Sequence, residues 1–192
     1  MEEMSVMLGV SNRHIHVSRK DMDVLFGQGE ELHNIKDLVQ PGQYASEETV
    51  TIEGPKGSIA KVRVLGPIRP ATQVEISVTD SFTLGVPAMV RDSGDVEGTP
   101  GVTIRGPVGT ATIHQGVIVA ARHVHLHTSE AKDFGVLDKD YVTLVSENAQ
   151  RPMVYGHVFV RVSEQYSKEV HLDIDEANAG LLTSGMMLTL RK

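Results

Sequence analysis

The sequence predicts a mainly β protein made of small β-barrels and capped by short α-helices. Three observations carry that expectation. Residues 44–90 run in short segments that alternate or are rich in β-branched side chains, at 49–53, 59–65 and 73–79. Gly and Pro separate them, at Gly54-Pro55-Lys56-Gly57 and Gly66-Pro67. A related stretch returns later, because Thr51-Ile52-Glu53-Gly54-Pro55-Lys56-Gly57 resembles Thr103-Ile104-Arg105-Gly106-Pro107-Val108-Gly109. Closely spaced strands with Gly/Pro turns fit small barrels better than an alternating βαβ fold.

The elements follow in order. Residues 6–10 form an apolar strand leading into Ser11-Asn12-Arg13. Ser18 is a helix N-cap with Asp21 at the capping-box position, and Met22, Leu25 and Phe26 give that helix an apolar face. Gly27 and Gly29 end it. A second short helix is expected over 35–39, stopped by Pro41-Gly42. After the strands already described, residues 116–121 form another. Thr128 or Ser129 caps a helix through Phe134, closed by Gly135. Strands are expected at 141–145, 154–162 and 168–174, then a helix over 176–182 capped by Asp175, then a last strand at 186–190.

Composition bounds the function. At 192 residues the chain can form one domain or two small ones, and 40% hydrophobic with 22% charged residues is a globular balance. A net charge of −7 argues against a nucleic-acid surface. With no cysteine, disulfides, thiolate metal sites and a cysteine nucleophile are excluded. No apolar run approaches the ~20 residues of a membrane span. The acidic start, Met1-Glu2-Glu3-Met4-Ser5, leaves no room for a secretory signal, so a cytoplasmic protein is expected.

One short pattern occurs twice: Arg13-His14-Ile15-His16-Val17 and Arg122-His123-Val124-His125-Leu126. In a strand, residues two apart share a face, so each copy aims two imidazoles one way. Imidazole is the commonest metal ligand, and two copies followed by helix-start signals point to a metal site. Glu75 faces opposite Val74 and Ile76 and can complete a His-His-Glu site; otherwise it is a solvated strand residue. His171 stands likewise opposite Val170 and Leu172, just before a helix start. Arg69, in a stiff loop between Pro67 and Pro70, suits bidentate phosphate binding if it is not simply a solvated loop residue. His157 falls on a solvent face, His33 and His114 lack a partner at strand spacing, and His127 lies where a helix begins. There is no Gly-x-Ser-x-Gly elbow and no P-loop, and Gly27-Gln28-Gly29 lacks the third glycine of a dinucleotide site. A metal is therefore the best available electrophile. Two rival readings remain. One is a cupin-like metal oxygenase or isomerase, with Glu130 completing a His-x-His-x(4)-Glu spacing; the other is a non-catalytic zinc-binding module.

Taken together, the motifs resemble a family. Gly9-Val10-Ser11-Asn12-Arg13-His14-Ile15-His16, Gln40-Pro41-Gly42-Gln43-Tyr44-Ala45, Leu65-Gly66-Pro67-Ile68-Arg69 and Gln73-Val74-Glu75-Ile76-Ser77 are similar to signatures of the PduL-type phosphotransacylases, the phosphate propanoyltransferases. So are Gly98-Thr99-Pro100-Gly101, the stretch from Val117 to His125, and His171-Leu172-Asp173-Ile174-Asp175-Glu176-Ala177-Asn178-Ala179. They keep the family's order across nearly the whole chain. The resemblance implies exchange of a short acyl group, propanoyl or acetyl, between coenzyme A and inorganic phosphate. It implies two β-barrel domains, a discontinuous one of 1–12 plus 121–192 and another of 13–120, with a dinuclear zinc site between them. One zinc would be held by His14, His16 and Glu75, the other by His123, His125 and His171. Arg69 would bind phosphate, and Ser11, Lys36, Arg63, Leu65 and Asn178 would line the coenzyme A pocket. The expected partners are acyl-CoA and phosphate, with a homodimer admitted; nucleic acid and membrane are not expected. Compartment-targeted members carry an N-terminal helix before the first motif and this chain has almost none, so a location outside a bacterial microcompartment is expected.

Overall fold

The computed structural model describes residues 2–148 and 150–192. In chain order the elements are β1 (Glu3–Ser11), β2 (His14–His16), α1 (Arg19–Phe26), β3 (Asn34–Asp37), β4 (Tyr44–Glu53), β5 (Ser58–Gly66), β6 (Gln73–Glu75), α2 (Val78–Leu84), β7 (Val90–Arg91), β8 (Val102–Arg105), β9 (Thr110–Ile113), β10 (Val117–Ala120), β11 (His123–Leu126), α3 (Thr128–Phe134), β12 (Tyr141–Ser146), β13 (Met153–Val162), β14 (Glu169–Asp173), α4 (Ile174–Ala179) and β15 (Met187–Arg191). The protein is mainly β with short helices, and its contacts divide it into two units.

The first unit holds the described residues up to Ser11, residues 39–41 and residues 121–192. Its six strands close into a barrel in the order β1-β14-β11-β13-β12-β15. Closure leaves no open sheet edge to pair with another chain. Strand alternation fills the interior: Val6, Leu8, Val124, Leu126, Val170 and Leu172 are all buried in one cluster.

The second unit holds residues 12–38 and 42–120. Its nine strands form a sheet curled into a half-barrel, ordered β7-β10-β6-β2-β5-β4-β8-β9, with β3 added against β4. Ile15, Val64, Val74, Ile52 and Ile104 pack inside with Met22 and Leu25 of α1 and Leu84 of α2.

The repeated Gly-Pro-x-Gly turns have a physical role in this unit. In each, the first glycine N–H donates to the last glycine's carbonyl, Gly54 to Gly57 and Gly106 to Gly109, both at 2.9 Å. Each turn then seats a helix end. Lys56 N–H donates to the Leu84 carbonyl at the end of α2 (3.0 Å), and Val108 N–H to the Leu25 carbonyl near the end of α1 (3.1 Å). A Cβ at Gly54 would stand 2.3 Å from Leu84 O, and one at Gly106 would stand 2.3 Å from Leu25 O. Gly54→Ala and Gly106→Ala are each expected to destabilise by about 2–3 kcal/mol, since backbone cannot easily give way. Gly156→Ala, where a Cβ meets nothing within 4 Å, should stay within about 0.5 kcal/mol. Urea midpoints compare the three variants; equal midpoints would show that the turns do not need glycine.

Three local expectations are corrected. Residues 35–39 do not form a helix: β3 pairs antiparallel with β4, and Pro41-Gly42 turns that hairpin, with Leu38 N–H on the Gln43 carbonyl (2.9 Å). The strand expected over 73–79 stops at Glu75, because Ser77 and Asp80 form a capping box that starts α2. The last helix begins two residues earlier than expected, capped by Asp173 with Glu176 closing the box. No helix among the described residues is long and apolar enough to cross a membrane.

Candidate active site

Each of the four helices begins just after a candidate ligand. The N-caps are Ser18, Ser77, His127 and Asp173. Two residues before them stand His16, Glu75, His125 and His171; four residues before the first and third stand His14 and His123. Strand geometry puts cap and ligand on one face, and the tight cap stops the strand there.

Pairing then assembles two triads in the same way. Within the second unit β2 runs antiparallel to β6, with His14 directly opposite Glu75. Within the first unit β11 runs antiparallel to β14, with His123 directly opposite His171. The donor atoms of His14, His16 and Glu75 all lie within 4.8 Å of one another, as do those of His123, His125 and His171. The arginine before each motif braces the helix that follows the motif's antiparallel partner strand, α2 after β6 and α4 after β14. Arg13 makes a two-bonded pair with Asp80 in the α2 capping box (2.8 Å each), and Arg122 pairs with Glu176 in the α4 box (2.8 Å).

In the His-His-Glu triad, His14 Nδ1 contacts the Asn12 carbonyl at 2.8 Å and His16 Nδ1 the Leu65 carbonyl at 3.2 Å. A carbonyl only accepts, so both Nδ1 atoms carry the hydrogen and both Nε2 lone pairs are presented. His14 Nε2 lies 3.4 Å from Glu75 Oε2. Burial opposes a charge on His14, but the Glu75 carboxylate outweighs it and raises the pKa. Burial, helped by His14 and Arg69, holds His16 down to about 3, so it is neutral at pH 7. A carboxylate enclosed with two imidazoles favours a cation in their midst.

In the all-histidine triad, His123 Nδ1 repeats the arrangement, 2.8 Å from the Ala121 carbonyl. His171 stacks on His123 at 4.9 Å between centroids and meets His125 edge-on at 5.1 Å. Burial, then His123, His171 and Arg161, press the His125 pKa to about 2. Behind His171 lies Glu169, a buried carboxylate 3.1 Å from His171 Nε2 that also accepts from the Gln40 amide (3.2 Å). Burial would raise its pKa, but His171 and Gln40 together lower it. Gly9 makes room for this pair: a Cβ there would stand 2.6 Å from Glu169 Oε1.

These donors fit zinc. His125 Nδ1 is buried and has no hydrogen-bond partner among the described residues, as a ring nitrogen reserved for a metal ion would be. Five imidazoles and one carboxylate, with no thiolate, are a nitrogen-rich set of the kind zinc takes and calcium or magnesium does not. Three ligands in each triad would leave a bound zinc a position for substrate.

Arg69 belongs beside the first triad. Its guanidinium donates to Ser93 Oγ at 3.2 Å, and its charge acts on both His14 and His16. Arg63 donates to the Ser46 and Glu47 carbonyls (2.8 and 2.9 Å), and Leu65 supplies the carbonyl that orients His16. Lys36 is exposed on β3. Ser11 ends β1 opposite Asp173, and Asn178 is exposed on α4. His127 is a helix cap rather than a ligand, and His157 is exposed and stacked on Tyr141 at 3.8 Å. Glu130 Oε2 accepts from the His127 N–H as part of the same cap. Sequence reasoning did not single out Gln40, Gln73, Ser93 or Glu169. Glu169 had a signal, at two residues before His171 on the same strand; Ser93 had none.

Comparisons with known proteins place the chain in a family. The sequence profile of the phosphate propanoyltransferase family matches residues 7–183. The chain is 54% identical over 184 residues to the phosphate propanoyltransferase of Thermotoga maritima, covering 96% of this chain and 88% of that one. It is 52% identical over 179 residues to that of Rhodopseudomonas palustris (93% and 79% covered) and 46% identical over 191 residues to that of Clostridioides difficile (100% and 91% covered). A match of this extent runs through both triads and Arg69, so the chain belongs to the phosphate propanoyltransferase family.

Proposed function

We propose that the protein exchanges a short acyl group, propanoyl or acetyl, between coenzyme A and inorganic phosphate, with one zinc ion on each triad. The observation that carries this reading is the duplicated triad, with the tautomers of His14, His16 and His123 set by backbone carbonyls and an arginine beside one triad. When bound, zinc supplies a Lewis acid that polarises the thioester carbonyl and favours the thiolate as leaving group. The residues do the rest. His16 and His125 stay neutral at pH 7 and keep their lone pairs available. Arg69 grips phosphate by two parallel N–H bonds and holds one oxygen against the carbonyl carbon. That oxygen forms the new C–O bond as the C–S bond breaks, giving acyl phosphate and coenzyme A thiolate. No cysteine is available to carry the acyl group in between. Ser11, Lys36, Arg63, Leu65 and Asn178 border the coenzyme A side in this reading, in a cytoplasmic enzyme.

The cupin-like alternative loses support from the use of Glu130 as a capping carboxylate. A non-catalytic zinc module would have no use for Arg69 at the triad. The test is to mix the purified protein with acetyl-CoA or propanoyl-CoA and follow thiol release with and without phosphate. Release that depends on phosphate, with acyl phosphate as product, is expected. No release with any short acyl-CoA would contradict the reading.

A further inference from the structure

We propose that Ser93 is a positioning residue that ties the Glu75 carboxylate and the Arg69 guanidinium into one register through a single hydroxyl. The proposal rests on the functional reading above and adds to it the device that aligns the metal ligand with the phosphate-binding arginine.

Ser93 lies in the turn after β7, two residues past Arg91. Its Oγ has three neighbours: Arg69 at 3.2 Å, the Gln73 Nε2 at 2.9 Å and Glu75 Oε1 at 3.1 Å. Arg69 and the amide nitrogen can only donate, and a hydroxyl offers two lone pairs and one hydrogen. The two donors therefore fill the lone pairs, and the one hydrogen goes to Glu75. No capacity is left over, so the direction of every bond is fixed.

Gln73 completes the lock. Its Oε1 accepts from the Gly94 N–H at 2.7 Å. A backbone N–H can only donate, which settles the amide orientation. The amide's two hydrogens then go to Ser93 Oγ and to Glu75 Oε1, the latter at 2.7 Å. Glu75 Oε1 is thus held by two donors, and the other oxygen, Oε2, is the one turned toward His14 Nε2 at 3.4 Å. Gln73 and Glu75 are both buried, so these bonds face little competition from water. The two carboxylate oxygens of Glu75 consequently have different roles, one anchored and one presented. Moving Ser93 moves both the presented oxygen and the arginine.

The experiment compares Ser93→Ala and Ser93→Thr with the wild-type full chain. Zinc retention is read by chelator competition, and phosphate KM and kcat by thiol release. Ser93→Ala should hold one of its two zinc ions about 10-fold more weakly, leave the other unchanged, and raise the KM for phosphate. Ser93→Thr, which keeps the hydroxyl, should restore both. Unchanged zinc retention and unchanged phosphate KM in Ser93→Ala would overturn the proposal. So would a drop in melting temperature alone, which a merely structural serine predicts, or a Ser93→Thr chain no better than Ser93→Ala. A wild-type chain that binds no zinc overturns the functional reading itself, and this proposal with it.

Discussion

His14→Ala and His125→Ala are each expected to abolish most turnover, whereas His157→Ala is expected not to. Among the described residues each triad brings three donors within reach of one another, so removing one leaves two, too few to hold a catalytic metal firmly. Losing the group that stabilises developing charge costs on the order of 10²–10³ in kcat, and weaker metal retention adds to that. His125 carries a second consequence, since its Nδ1 has no hydrogen-bond partner among the described residues to lose. The effect of His125→Ala on folding should therefore be smaller than its effect on activity. His157 is an exposed ring stacked on Tyr141, outside both triads. Steady-state rates with melting curves check this. Equal losses in all three variants would mean that the ligands are wrongly assigned.

Arg69→Lys is the second large effect. The substitution keeps the positive charge and removes the planar fork. Lysine can offer phosphate one point contact where the guanidinium offers two parallel bonds, and it cannot reproduce the bond to Ser93 Oγ in the same plane. The expected result is a fall in kcat/KM for phosphate on the order of 10²-fold, with coenzyme A binding retained. Initial rates at varied phosphate, beside calorimetric binding of coenzyme A, separate the two. Unchanged phosphate kinetics would remove Arg69 from the site.

Much of this was legible in the sequence because strand periodicity is short and local. The His-x-His spacing fixes the shared face of His14 and His16, and of His123 and His125, without any tertiary knowledge. Glu75 and His171 were legible as polar residues opposite an apolar face, though only pairing registers could show that each stands across from the first histidine of a motif. The Ser18 cap was legible from its Asp21 partner, and the same signature at Ser77 and Asp80 went unread because an alternating run masked it. The strand at Asn34–Asp37 was not legible: its residues are all exposed, and only the antiparallel partner β4 makes it a strand. Ser93 reaches Glu75, and Gln40 reaches Glu169 behind His171, from segments distant in sequence, through side-chain hydrogen bonds that no periodicity reports. The arginine before each motif carried no role in the sequence, and its ion pair with a capping-box acid makes it a brace.

In the proposed function both triads hold zinc and the acyl exchange needs both. The most direct measurement is a titration of metal-stripped protein with zinc, following bound metal and phosphate-dependent thiol release in the same samples. The account predicts that activity rises to a plateau at two zinc ions per chain, and that His14→Ala and His125→Ala each saturate at one and stay inactive. Full activity in the stripped protein, or a plateau at one zinc per chain in the wild type, would contradict it.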